Sequence, residues 1–273
     1  MLPNFIVIGA PRCGTTWIHD NLRQHPDIFL PKVKELHFFD NHPDKSIEHY
    51  ESLFSTWSGQ KAVGEITPNY LSGAFSSNRR IPELIHQYLP NIRLIAVLRN
   101  PVERAYSHYW FNVSQDARNV GLTFEEKLAQ RPQIIEEGLY ADHLSRYLSL
   151  FERNQMLILS YDDLKEEPLD FLRKIYTFLD VDSSFISGRE SLNRNSAYSR
   201  GNLARSRLLW HAGRALARIG LVDPAERLRR VNSGQTVPPM SPETRRKLMQ
   251  LYRPSNARLA QLIGRDLSSW DEE

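Results

Sequence analysis

Phe5-Ile6-Val7-Ile8-Gly9-Ala10-Pro11-Arg12-Cys13-Gly14-Thr15-Thr16 passes from an unbroken apolar run into a loop bounded by two glycines, then into the pattern Trp17, Ile18, Leu22. The run reads as a buried strand and the spacing after Gly14 as the start of a helix. Amides in the first turn of a helix point outward without partners and carry the positive end of the macrodipole, so the junction suits an anion. Gly9 and Gly14 have Walker A spacing, yet Thr15 stands where that motif places lysine. The usual clamp on the β- and γ-phosphates of a nucleoside triphosphate is therefore missing. Arg12 is the cation inside the loop, and Thr15 and Thr16 add hydroxyls. A plain strand-to-helix turn answers the same pattern, so the rest of the chain has to decide.

The chain has 273 residues, 41% hydrophobic and 25% charged, with a formal net charge of +3. These proportions fit one large globular domain over residues 1–273. The single cysteine, Cys13, excludes an internal disulfide framework, and no apolar stretch approaches the length of a spanning helix. The first residues lack a signal-peptide pattern, so the expected location is cytoplasmic. No nucleic-acid partner is expected, and the sequence sets no oligomeric state.

Apolar, β-rich runs at Phe5 to Ile8, Ala62 to Ile66, Ile92 to Leu98 and Met156 to Leu159 alternate with helical patterns. The helices are expected near 15–24, 79–88, 101–114, 142–152, 164–179, 203–219 and 242–264. Such alternation predicts an α/β fold: a P-loop-like central parallel β-sheet flanked by helices in three α/β/α layers. A soft boundary falls in the Ser/Asn/Arg-rich stretch 183–202, and the helices after it read as a cover on the same core.

Two further segments carry chemistry. Leu98-Arg99-Asn100-Pro101-Val102-Glu103-Arg104-Ala105-Tyr106-Ser107 is a strand ending in arginine that passes through proline into a helix. Ligands of open parallel sheets collect at the carboxyl ends of strands, so this end and the first loop can serve one anion together. Ser107, about two helical turns in, can face the same phosphate. Local pairing of Arg99 and Arg104 with carboxylates such as Glu103 is the plainer reading. In Pro31-Lys32-Val33-Lys34-Glu35-Leu36-His37-Phe38-Phe39-Asp40 an extended backbone would put Glu35 and His37 on one face. Glu35 could then act as a general base, its proton affinity raised by burial and lowered by Lys34. A surface strand with a solvated Glu and a core-packed His is the alternative.

In this order the three segments resemble the sulfotransferases that use 3′-phosphoadenosine 5′-phosphosulfate (PAPS), nearest to the heparan sulfate N- and O-sulfotransferase branch. Gly64-Glu65-Ile66-Thr67-Pro68-Asn69-Tyr70, Gly138 to Leu144 and the tail from Tyr252 to Trp270 extend the likeness over nearly the whole chain. The resemblance implies the sulfotransferase fold. It also implies that Arg12, Cys13, Gly14, Thr15 and Thr16 hold the 5′-phosphosulfate, with Trp17 among the cofactor-binding residues, and that Arg99 and Ser107 bind the 3′-phosphate. Arg200-Gly201 is similar to an element that closes over the cofactor. Glu35 matches the catalytic-base position, His37 a neighbouring site residue, and Tyr70, Tyr140 and His143 the lining of the acceptor cleft. Arg12 replaces the lysine of many relatives; as a permanent cation it acts electrostatically and is a poor proton donor. Ile66 replaces a lysine found beside the acceptor in some glycosaminoglycan enzymes.

The resulting expectation is metal-independent sulfonyl transfer from PAPS to a hydroxyl or amine on a glycan, or on a lipid, polyketide or other small-molecule alcohol. The rival readings are a P-loop kinase and a noncatalytic nucleotide-binding module. The tract 194–230 carries nine arginines against Asp223 and Glu226. It can receive an acidic polysaccharide, or it can be the solvated face of amphipathic helices.

Overall fold

The computed structural model describes residues 1–42, 45–115, 121–186, 188 and 239–272, with isolated positions between 209 and 228. Arg200, Gly201 and most of the basic tract lie outside the described residues.

Five parallel strands form the sheet: β1 (Phe5–Gly9), β2 (Ile28–Phe29), β3 (Ala62–Ile66), β4 (Arg93–Leu98) and β5 (Met156–Ser160), in the order β2-β3-β1-β4-β5. Both faces are covered, so β1 and β4 read as near-continuous apolar runs rather than alternating ones, while β3 carries the buried Glu65. Phe5 pairs with Gly64 on one side and Arg93 on the other, so β1 is the central strand. A Cβ at Gly64 would sit 2.4 Å from the Phe5 ring, so that glycine makes room for the side chain beside it.

The helices are α1 (Thr15–Leu22), α2 (Phe38–Asn41), α3 (Ile47–Ser52), α4 (Ile81–Tyr88), α5 (Pro101–Gln115), α6 (Phe124–Gln130), α7 (Gln133–Glu136), α8 (Tyr140–Leu148), α9 (Tyr161–Glu166), α10 (Pro168–Leu179) and α11 (Pro242–Ile263). Helices form near six of the seven expected stretches; the seventh, 203–219, is mostly outside the described residues. The stretch 164–179 is not one helix: Glu167, ahead of Pro168, has φ −132° and ψ 68° and separates α9 from α10. A residue before proline is pushed out of the helical region by the ring. A large buried cluster surrounds the sheet. A second, including Val102, Tyr109, Phe124, Ile134 and Tyr252, packs α5 against α6, α7 and α11.

Segment 31–40 departs from the expectation of an extended strand. Glu35 and His37 have φ of 63° and 53°, and α2 begins directly after His37. These left-handed positions are unusual for residues with a Cβ and mark a backbone held by its surroundings. The Glu35 amide donates to the Ile66 carbonyl at 3.2 Å, which ties the segment to the end of β3.

Candidate active site

The loop between β1 and α1 lies at the carboxyl end of the central strand. Gly14 has φ 85°, a conformation that favours glycine, and a Cβ there would lie 2.6 Å from Leu164 Cδ2. The first turn of α1 contains no acidic residue and its N-cap makes no side-chain bond. The first amide of the helix to find a backbone acceptor is that of Ile18, which donates to Gly14 O at 3.0 Å. The amides of Thr15, Thr16 and Trp17 therefore remain as donors, the arrangement that binds phosphate and sulfonate oxygens.

Arg12, Arg99 and Ser107 come together around this loop. Arg12 Nε donates to Ser107 Oγ at 3.3 Å, and its guanidinium stands 4.5 Å from the centre of the Phe111 ring. Arg99 Nη1 donates to the Arg12 carbonyl at 3.5 Å, and its guanidinium lies over Tyr161 at 5.0 Å. Its separation from Glu103 is 3.9 Å, and Glu103 is engaged more closely by Arg245. Arg104 has no part in this cluster: it is fully buried and pairs with Glu137 at 2.7 Å. The side chains of Cys13 and Trp17 belong to the buried core. The Cys13 thiol is buried, with its pKa pushed up to about 11 by burial, and Trp17 packs edge-on against Phe171. This donor set, with its amides, hydroxyls and two guanidinium groups, fits a nucleotide carrying phosphate at two positions.

Segment 34–40 closes the opposite edge through a chain of charges. Lys34 Nζ donates to Thr16 Oγ1 at 3.2 Å and to Glu35 Oε1 at 2.7 Å. Glu35 Oε2 is 3.7 Å from His37 Nε2, an ion-pair distance, and His37 Nδ1 donates to Asp40 Oδ2 at 2.8 Å. Asp40 is fully buried. Interaction with Asp40, then with Glu35, pushes the His37 pKa up to about 10. Interaction with His37, and then with Lys34, outweighs burial and holds Glu35 down to about 2. Burial thus does not raise the proton affinity of Glu35, because two cations face it.

A cleft of about 680 Å³ joins the two regions, with Arg12, Thr15, Thr16, Lys34 and Glu35 in its wall. The far wall comes from α5 and α6, through His108, Asn112, Lys127 and Arg131. Sequence reasoning passed over these four, because nothing in residues 108–131 marks them apart from ordinary helix surface. Tyr70, Tyr140 and His143 do not line this cleft. The Tyr70 hydroxyl donates to Glu65 at 3.3 Å and accepts from the amides of Phe38 and Phe39 at 2.9 and 3.3 Å, so it fixes the start of α2. The Tyr140 hydroxyl donates to the Arg99 carbonyl at 3.0 Å, and the ring is fully buried. His143 Nε2 lies 2.8 Å from the Glu136 carbonyl, and burial lowers its pKa. Tyr70 and Tyr140 thus fasten backbone of the site segments, whereas His143 fastens the end of α7. Glu65 is also bonded by Tyr50 at 2.6 Å and Thr67 at 2.7 Å, and burial pushes it up to about 7.

A family model described as a sulfotransferase domain matches residues 2–262. Human carbohydrate sulfotransferase 15 is 26% identical over 98% of this chain and 54% of its own length. Human heparan sulfate glucosamine 3-O-sulfotransferase 3B1 is 29% identical over 99% of this chain and 65% of its own. The chain thus spans between half and two thirds of the length of these curated relatives. The crystal structure of a sulfotransferase from Alicyclobacillus acidocaldarius matches with a TM-score of 0.73, at 27% identity and with both chains fully covered.

Proposed function

The chain belongs to the sulfotransferase domain family, and from that premise we propose that it transfers a sulfonyl group from PAPS to an acceptor hydroxyl or amine, on a carbohydrate first of all. One observation carries this reading: the start of α1 with its open amides, the Arg12 guanidinium and the Glu35 carboxylate meet at one cleft, with Ser107 and Arg99 bonded to Arg12 beside it. Bound PAPS supplies an activated sulfur attached to a phosphate leaving group. The α1 amides and the Arg12 guanidinium offset the charge that builds on the sulfonyl oxygens and the departing phosphate, contributions of about 3 kcal/mol each in comparable sites. Arg99 and Ser107 hold the 3′-phosphate.

Glu35 takes the acceptor proton. Held by Lys34 and His37 it is a weak base, so it accepts the proton late, once bond formation to sulfur has made the acceptor oxygen acidic. Asp40 holds His37, and His37 together with Lys34 holds Glu35, which leaves the carboxylate little freedom to turn away. The acceptor class rests on the relatives' names and on the cleft wall, where among the described residues the cations Arg12, Lys34, Lys127 and Arg131 outnumber the one carboxylate, Glu35. Such a wall attracts an anionic acceptor.

Calorimetry with adenosine 3′,5′-bisphosphate, followed by incubation with radiolabelled PAPS and a panel of glycans, lipids and small alcohols, tests the proposal. Nucleotide binding and label on a glycan are expected. Label on a lipid or a small alcohol alone would move the acceptor class, and absence of nucleotide binding would remove the transferase reading.

A further inference from the structure

His108 lies on α5, in the wall of the cleft that also holds Glu35, yet none of the roles assigned above uses it. Its Nδ1 is 2.7 Å from Glu137 Oε2, and the same carboxylate oxygen accepts from Arg104 Nη1 at 2.7 Å. The side chains of Arg104 and Glu137 are 0% and 1% exposed, whereas that of His108 is 13% exposed. Burial works to raise the Glu137 pKa; Arg104, and after it His108, overcomes this and holds it below the ordinary value. A buried, ionised carboxylate aimed at one ring nitrogen fixes that nitrogen as the donor. No protein group among the described residues bonds to Nε2, and Nε2 is not among the sealed, unpartnered buried atoms, so it is reachable from the cleft. Glu137 is already balanced by Arg104, and Arg12, Lys34, Lys127 and Arg131 line the same cleft. With Nδ1 committed as donor to Glu137, the neutral ring carries its lone pair on Nε2.

Phe75, 36% exposed, stands 5.4 Å from the imidazole ring, centre to centre, and shares the cleft lining with Asn69 and Asn112. An exposed ring beside an oriented hydrogen-bond acceptor and two amides is the chemistry that reads a polyhydroxylated ring. We propose that His108 is a specificity-determining residue: held by Glu137 through Nδ1, it accepts at Nε2 a hydrogen bond from an acceptor hydroxyl other than the one that receives the sulfonyl group. This rests on the transferase reading and deepens it, because it demands an acceptor with at least two hydroxyls.

The test uses the full chain saturated with adenosine 3′,5′-bisphosphate, with an unsulfated glycosaminoglycan oligosaccharide as probe. Imidazole ¹⁵N spectra are expected to show His108 protonated at Nδ1, with the Nε2 resonance moving as the oligosaccharide is added. His108→Ala should weaken oligosaccharide binding about tenfold, the worth of one hydrogen bond, and leave nucleotide affinity unchanged. His108→Gln, which retains an acceptor oxygen, should recover part of the loss. A ring protonated at Nε2, or oligosaccharide affinity unchanged in His108→Ala, overturns the inference while nucleotide binding stands. Loss of nucleotide binding in the unaltered chain would instead overturn the reading beneath it.

Discussion

The loop after β1 and the segment ahead of α2 face each other, and they are opposites in hydrogen bonding. The loop presents unspent donors: three amides without acceptors at the start of α1, with no acid in the first turn. The 34–40 segment has its charges spent on one another, from Lys34 through Glu35 and His37 to Asp40. A region of open donors binds an anion at once, because nothing has to be displaced. A region of paired charges sets direction and protonation, and yields only to a group that can replace one of its partners. The first is suited to gripping a donor nucleotide and the second to governing an acceptor.

Breaking one region should leave the other's property standing. Glu35→Gln removes the base without touching the loop: turnover with PAPS should fall by about 10³-fold, while calorimetric affinity for adenosine 3′,5′-bisphosphate changes less than about twofold. Comparable activity in that variant would take Glu35 out of the proton transfer. Arg12→Ala acts on the loop itself. It should lower kcat/KM about 10²-fold and weaken nucleotide binding in the same assay, with Arg12→Lys recovering most of the binding. An unchanged nucleotide affinity would place Arg12 outside the donor site.

The smallest effect sharpens the comparison through pH. His37 is raised to about 10 in the folded chain, so its stabilising interaction is fully present below its unfolded value near 6.5 and is lost as pH rises through about 10. Glu35, lowered to about 2, contributes above its unfolded value near 4.5, and that contribution is lost as pH falls toward 2. Urea midpoints of the unaltered chain and of His37→Asn should therefore differ most near pH 6 and converge toward pH 10. A gap independent of pH over that interval would show that the His37–Asp40 pair is not what holds the segment.

The two regions also differ in how far the sequence disclosed them. β1, β3, β4 and β5 are rich in apolar residues on both faces because helices cover the sheet on both sides, and the glycine-bounded loop between β1 and α1 is a local arrangement written in adjacent residues. Arg99 and Ser107 were readable for the same reason, as a strand end running through Pro101 into a helix. The 34–40 segment was legible in its residue types but not in its shape. Left-handed backbone at Glu35 and His37 is imposed from a distance, by the Ile66 carbonyl and by Tyr70 at the start of α2, and no local propensity announces it. Tyr70, Tyr140 and His143 were legible as motif residues but not in their partners: a polar side chain in a motif can face a ligand or bond the neighbouring backbone, and only packing separates the two. Likewise 29 residues separate His108 from Glu137, and only the close approach of α5 to the α7–α8 turn joins them.

β1 sits in the middle of the sheet, with β3 and β4 as its neighbours. Whatever seats itself on its loop leans on α1 and on the Arg12–Ser107 contact to α5 together, so occupancy braces the folded chain as a whole rather than one flap of it. A ligand at a hundred times its dissociation constant then adds about 2.7 kcal/mol to the work of unfolding. Heating the chain beside a shelf of nucleotides becomes a census of donors, carried out before any acceptor has been found.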